Sequence, residues 1–562
     1  MMGMKTMATR ALLLSGAAIF GMSGSVSAHV AEAPSNGVTV APAAENIPAP
    51  ARKAGEGAGP FRKMVIRGVT LIDGSGAAPR GPVDVVVENN IITEIRNAGT
   101  PGLPLAAQRG PRDADYELDA TGMFMLPGFV DMHVHAAGAD KAPDASYSYK
   151  LWLAHGVTTV RGVGLGSYEF AKSEQVRSAR NEIVAPRIFN YVAMGSGKGW
   201  TGGLTNTPEK ARAWVRWAAK DGIDGIKLLA NPDQPPETLR AIFDEAKKQQ
   251  IGTVAHLSQI GVARMSGREA GEAGLGTITH FYGHMESLLE NGAVQDWHPD
   301  YNFNDEQWRF ADVANLARES FAPGTKEWNE YLQAQKANGV TFDPTMTIYA
   351  ASRDLMRARN ADWHGKYTMP QMWDFFQSSR INHGSYFFDW NTEKEVRWGN
   401  FYKKFMALIN DYKRIGGRVT TGSDSGFIFK TYGFGFVEEL ELLQEAGFNP
   451  SQVIQAATLN GALTLYETKG NDAPPIGTVR VGKLADMVLV KENPLQNFKT
   501  LYGTGALRLN EQTQQLERVG GVSYTIKDGI VYDAKALLAD VAEMVKSEKR
   551  RMGRPEEGVT MP

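Results

Sequence analysis

From residue 126 to about 475, short apolar runs alternate with amphipathic helical stretches, and this alternation limits the possible folds more than any other feature. Runs at 126–135, 156–161, 186–192, 223–229, 251–257, 276–280, 340–345 and 418–421 read as strands. Between them, Thr207-Pro208-Glu209 opens a helix that reaches Lys220 and closes at Asp221-Gly222, and Pro236 opens another that runs to Gln250. Apolar strands separated by helices require a parallel sheet wrapped by helices. Eight such strands, over roughly 250 residues or more, predict an α/β fold of the (β/α)8 TIM-barrel type. Two long insertions, 281–339 after the sixth strand and 350–416 after the seventh, carry aromatics and helical periodicity, so they read as ordered walls or lids.

The flanks have a different texture. Met64–Ile72, Val83–Glu88 and Ile91–Ile95 are β-like runs broken by Asp73-Gly74 and Asn89-Asn90, which are hairpin signals. Similar runs return at Gly477–Arg480 and Ala485–Val490. Segments 61–125 and 476–534 are therefore expected to form one small β-sandwich domain around a barrel at 126–475, followed by a C-terminal helix and tail at 535–562. Residues 29–60 are rich in Ala, Pro, Gly and Glu without apolar periodicity and read as a disordered linker.

Lys5 and Arg10, the apolar segment Ala11–Met22 and the small-residue ending Val26-Ser27-Ala28 have the order of a cleaved signal peptide, residues 1–28. The apolar run is too short to span a bilayer, which takes about 20 residues. The expectation is an exported protein, periplasmic or secreted, with no membrane association after cleavage. A net charge of −2 gives no sign of a nucleic-acid partner. The chain has no cysteine, so any metal must be held by histidine and carboxylate.

Chemistry in a barrel of this kind sits at the C-terminal ends of the strands, and the sequence loads those ends selectively. The first strand ends in His133-Val134-His135, two imidazoles at i, i+2 and hence on one face. Lys227 lies inside the apolar fourth strand. The fifth ends at His256, the sixth at His280, and the eighth is followed by Asp424. Any one of these residues has an ordinary structural explanation, such as a bonded core histidine, a snorkelling lysine or a turn aspartate. Their joint placement does not.

These residues, in this order, resemble the amidohydrolase superfamily of metal-dependent hydrolases. The motif Leu126–His135 carries the resemblance, along with Ala456–Ala462 and Ile476–Val490. Thr158–Arg161 and Asp343-Pro344-Thr345 give it the flavour of the imidazolonepropionase-like and Xaa-Pro dipeptidase-like branch. The resemblance implies two divalent ions. One would be held by His133, His135 and Asp424, the other by His256 and His280, with a CO2-derived carbamate on Lys227 bridging them. Zinc suits such ligands, with manganese and iron as alternatives. It also implies attack by metal hydroxide, with Asp424 as general base and then acid.

The substrate expected on this basis is a small amide, a dipeptide or an N-acyl amino acid. Cyclic-amide opening, deamination and lactone hydrolysis on the same site are the alternatives, and a non-catalytic barrel that only binds is a further one. Whether the chain forms a homo-oligomer is left open. Candidate substrate contacts are Arg161, Trp200 in the glycine-rich loop 195–203, Tyr282, His284, Tyr349 and Phe427. For Arg161 a structural salt bridge is an equal reading. His155, His298, His364 and His383 are expected to be solvated or capping residues.

Overall fold

The computed structural model describes residues 45–562 except 107–108, 230–233, 258–263, 291–309, 379–383, 385–389 and 559–562. The signal peptide expected at 1–28 lies outside the described residues.

Strands β1 (Phe61–Leu71), β2 (Arg80–Asn89), β3 (Ile91–Asn97), β4 (Tyr116–Asp119) and β5 (Phe124–Pro127) lead into the barrel. Asn89, at φ 56°, makes the tight turn between β2 and β3. The barrel strands follow as β6 (Phe129–Val134), β7 (Val157–Val163), β8 (Arg187–Ala193), β9 (Gly225–Leu229), β10 (Gly252–His256), β11 (Thr277–Thr279) and β12 (Thr341–Asp343). They pair in parallel in sequence order, β6 through β12.

The eighth position is reduced to the segment 418–421, which closes the gap by a few bonds. Phe342 N donates to Arg418 O and Thr420 N to Phe342 O, while Met132 N donates to Thr421 O. Seven strands and this bridging segment make the predicted barrel.

After the barrel come β13 (Met487–Val490), β14 (Ala506–Asn510), β15 (Gln515–Val519), β16 (Val522–Lys527) and β17 (Ile530–Asp533). The two ends of the chain combine in one sheet, ordered β17-β16-β13-β5-β1-β2-β3 with β4 beside β1, and β14–β15 form a separate hairpin. Its alternating valines and isoleucines bury Val85, Val87, Ile66 and Ile92 against Met487 and Leu489. The helix Ala534–Arg551 packs after β17, its N-terminus capped by the Asp533 carboxylate. The insertions are helical where described, with Lys326–Ala337 in the first and Thr392–Arg414 in the second.

The disordered linker expected at 29–60 is corrected over residues 45–60, which form an ordered strap. Asn46 Nδ2 donates to Ala136 O (3.3 Å) and Ala137 O (3.0 Å). Ala145 N donates to Ile47 O, and Arg52 N to Glu182 O. Ala49 N donates to the Glu174 carboxylate at 3.1 Å, and Ala58 bridges Val531. Apart from the Asn46 side chain, the strap makes these bonds through its own backbone groups, which is why an Ala- and Pro-rich composition concealed it.

Candidate metal centre

The end of β6 is tied to the segment after 418–421 by a buried carboxylate. Asp131 accepts from His133 N (3.2 Å), Ser423 N (2.9 Å) and Ser423 Oγ (2.6 Å). Burial still pushes its carboxyl up to about 7. Asp424 N donates to His133 O. Two segments nearly three hundred residues apart are thus held in one register, and His133, His135 and Asp424 converge.

Their ligand atoms lie within 4.8 Å of one another. The Asp424 carboxylate sits 3.3 Å from His135 Nε2 and 3.8 Å from His133 Nε2, and its other oxygen is 3.9 Å from His280 Nε2. Lys227 Nζ stands 3.5 Å from His133 Nε2. The ring of His256 is 4.6 Å from that of His280. All six residues singled out from the sequence therefore occupy one contiguous cluster.

The far side of each imidazole fixes which nitrogen faces the cluster. His135 Nδ1 lies 3.0 Å from Gly164 O, an acceptor only, so Nδ1 carries the proton and Nε2 presents its lone pair. His280 Nδ1 bonds Thr345 Oγ, whose hydroxyl proton goes to Pro344 O, so His280 is the same tautomer. His133 Nδ1 bonds Thr279 Oγ at 2.7 Å. Burial, with Lys227 and the neighbouring imidazoles, holds the His133 pKa well below its ordinary value and so keeps the ring neutral. Neutral imidazoles aimed at a carboxylate put acceptor against acceptor, an arrangement that a cation between them resolves. The residues present fit a divalent ion, and His with carboxylate suits zinc, manganese or iron.

Burial pulls the Lys227 ammonium down to about 7 against the attraction of Asp424. His280, Thr345 and Asp424 have φ of 67°, 46° and 46°, left-handed conformations in residues other than glycine. Such strain concentrates at functional sites.

The substrate-contact candidates divide. Tyr282 stacks on His256 with centroids 4.5 Å apart, Tyr349 stands edge-on to His280 at 5.7 Å, and Phe427 stands edge-on to His135 at 6.1 Å. Arg161 is instead committed inside the barrel and has 0% exposure. Its Nε donates to Met132 O (2.7 Å), Nη1 to Thr277 Oγ (3.2 Å) and Nη2 to Asp343 (3.0 Å). The structural salt bridge is the reading that fits.

His284 is buried against Phe342 (4.3 Å) with Nδ1 bonded to Tyr331 Oη (2.6 Å), so it is a packing residue. Trp200 bonds Gly203 O at 2.8 Å and lies by Trp217, 6.0 Å between centroids. His155 and His364 are buried, not solvated, and fit the capping alternative. His155 is the C-cap of the helix Ser146–Ala154 with Nδ1 bonded to Leu151 O (2.7 Å), and His364 Nε2 bonds Ala358 O (2.8 Å) near the end of the helix Leu355–Arg359. His298 and His383 lie outside the described residues.

Sequence reading missed Asp131, Thr279, Thr345 and Ser423. Only Asp131 left a signal, as a charge inside the apolar run 126–132.

A model of the amidohydrolase family matches residues 124–531. The chain belongs to the amidohydrolase family. Among known relatives, 5-methylthioadenosine/S-adenosylhomocysteine deaminase of Symbiobacterium thermophilum is 26% identical over 232 residues, 35% of this chain and 50% of that one. N-acyl-D-aspartate deacylase of Alcaligenes xylosoxydans xylosoxydans is 26% identical over 192 residues, 33% of this chain and 34% of its own length. The chain thus spans half or less of these curated relatives. A solved Xaa-Pro dipeptidase with bound methionine in its active site superposes with a TM-score of 0.54 at 20% identity, covering 84% of this chain and 100% of that one. That likeness is one of fold.

Proposed function

We propose that this amidohydrolase-family protein is an exported enzyme that hydrolyses the C–N bond of a small amide of the dipeptide or N-acyl amino acid type. The observation that carries the reading is the convergence of His133, His135 and His280 on the Asp424 carboxylate, with Lys227 alongside. The likeness to a deacylase and to the fold of a dipeptidase supports the substrate class.

His133, His135 and Asp424 would hold one divalent ion. His256 and His280 would hold a second, with Lys227 as a carbamate between the two. Forming that carbamate joins the nitrogen of the neutral Lys227 amine to the carbon of CO2 and releases one proton to solvent. A bound ion supplies Lewis acidity towards water and towards the substrate carbonyl. Asp424 takes the proton of the water that attacks the carbonyl carbon, then delivers it to the leaving nitrogen as the C–N bond breaks. Tyr282, Tyr349 and Phe427 wall the site with aromatic surface that limits water.

Deamination is the second reading, favoured by the likeness to a deaminase. The same groups would act on a ring carbon bearing an amino group. Export rests on residues 1–28 and is checked by sequencing the mature N-terminus, expected at His29.

The test is metal analysis joined to an activity screen over dipeptides, N-acyl amino acids, aminopurines and lactones. Asp424→Asn should stay folded and lose about 10²- to 10⁴-fold in turnover, and His133→Ala should also lose bound metal. Unchanged turnover in both variants would overturn the assignment. Two metal equivalents and activation by bicarbonate would support the carbamate.

A further inference from the structure

We infer that Lys141 anchors a carboxylate of the substrate, so that the amide cleaved bears a free acid close to the scissile bond. This rests on the C–N hydrolase reading above and narrows its substrate class.

Lys141 lies in the loop that follows His135, and the strap pins that loop. Asn46 holds Ala136 O and Ala137 O, and Ala139 N donates to Glu45 O. The ammonium reaches across to the segment after Asp424, where Nζ donates to Gly426 O at 3.2 Å. It sits between two rings, 4.0 Å from the centroid of Phe375 and 3.9 Å from that of Phe427. Phe427 is the ring that stands edge-on to His135, so the cation borders the metal cluster.

Lys141 is only 9% exposed, yet among the described residues no carboxylate pairs with it. Two other buried cations of the barrel are answered by carboxylates, while Lys227 belongs to the metal cluster. Arg161 faces Asp343 at 3.0 Å, and Lys430 faces Glu438 at 2.7 Å. An ammonium has three donors, and here one long bond to a carbonyl uses one of them. Cation–π contact with two phenylalanines recovers part of the desolvation cost, whereas a buried charge ordinarily needs a charged partner. Burial draws the ammonium down to about 8 while Asp140 and Asp424 pull it up, so it remains largely cationic at neutral pH. The arrangement is that of a cation held in place for an anion that arrives with the ligand. A dipeptide or N-acyl amino acid brings such an anion on the residue whose nitrogen is released.

The test compares the full-length, metal-loaded protein with Lys141→Met and Lys141→Arg. The probes are N-acetyl-L-phenylalanine and N-acetyl-L-phenylalaninamide, which differ only in the carboxylate, each followed by calorimetric binding and by hydrolysis. The acid should bind wild type and weaken about ten- to a hundred-fold in Lys141→Met. The amide should be indifferent to that substitution, and Lys141→Arg should keep most of the acid's affinity.

Equal losses for acid and amide would reduce Lys141 to a positioning role on the Gly426 loop and overturn the inference. Equal acid binding in wild type and Lys141→Met, or no preference for acid over amide in wild type, would do the same. Acid binding that depends on Lys141 without any C–N hydrolysis would retain the anchor and discard the activity proposed above.

Discussion

Two layers of the barrel handle buried polar groups in opposite ways. Inside the barrel, Arg161 and Asp343 answer each other, and Thr277, Thr420 and Met132 O take up other bonds from the pair. At the mouth, His133, His135 and His280 are each fixed on one side by a hydroxyl or carbonyl and turn their other nitrogen towards one carboxylate. The interior pair is complete within the protein and stabilises it. The mouth is arranged around a shared point, and its residues act there. Buried histidine and buried charge therefore say little about function until both sides of each group are accounted for.

The contrast breaks most sharply at Arg161. Arg161→Met leaves Asp343 buried without its partner and should destabilise the fold by about 3–5 kcal/mol, read as a lower urea midpoint. Asp424→Asn, by contrast, should unfold close to wild type, since asparagine tolerates the left-handed backbone that residue 424 adopts. If the two variants unfold alike, the division between the layers fails.

Acid sharpens the same contrast among histidines outside the cluster. Burial holds His155 and His364 down to about 4 and His284 to about 3, from an ordinary 6.5. The unfolded chain then binds protons first as pH falls. The stability these neutral rings contribute is complete above pH 6.5 and is lost between 6.5 and about 4 for His155 and His364, and down to about 3 for His284. His155 and His364 account for about 3 kcal/mol each at most and His284 for about 5. Denaturation midpoints followed over that range should fall steadily with acid, and replacing His155 by Gln should flatten the slope. A flat profile in the wild-type protein would contradict the buried neutral assignment.

The smallest effect concerns the strap. Asn46→Ala removes two bonds to the loop after β6 and should cost about 1 kcal/mol, seen as faster amide exchange over 136–142. No change there would mean that the backbone bonds of the strap suffice.

Much of this was legible in the sequence because it is local. Strand and helix periodicity gave the barrel, and the His-x-His, Lys227, His256, His280 and Asp424 positions at strand ends gave the cluster. What stayed hidden depends on register between distant segments. Arg161 ends a strand-like run as a ligand-binding residue would, and only its meeting with Asp343 across the barrel settles its task. Lys141 lies in Gly138-Ala139-Asp140-Lys141, which nothing in the sequence reading singled out, and it is buried beneath Phe375 and Phe427, which arrive from elsewhere. Thr279 and Thr345 are unremarkable in sequence and gain meaning only as hydrogen-bond partners of His133 and His280. The eighth strand was readable as the β-branched run Val419-Thr420-Thr421, but its reduction to bridging bonds was not.

The left-handed turns at His280, Thr345 and Asp424 have one more effect. Backbone forced into that region costs on the order of 1–3 kcal/mol per residue, a cost met once, when the chain folds. The mouth is therefore a stiff mould, and successive guests can come and go without the polypeptide being recast for each.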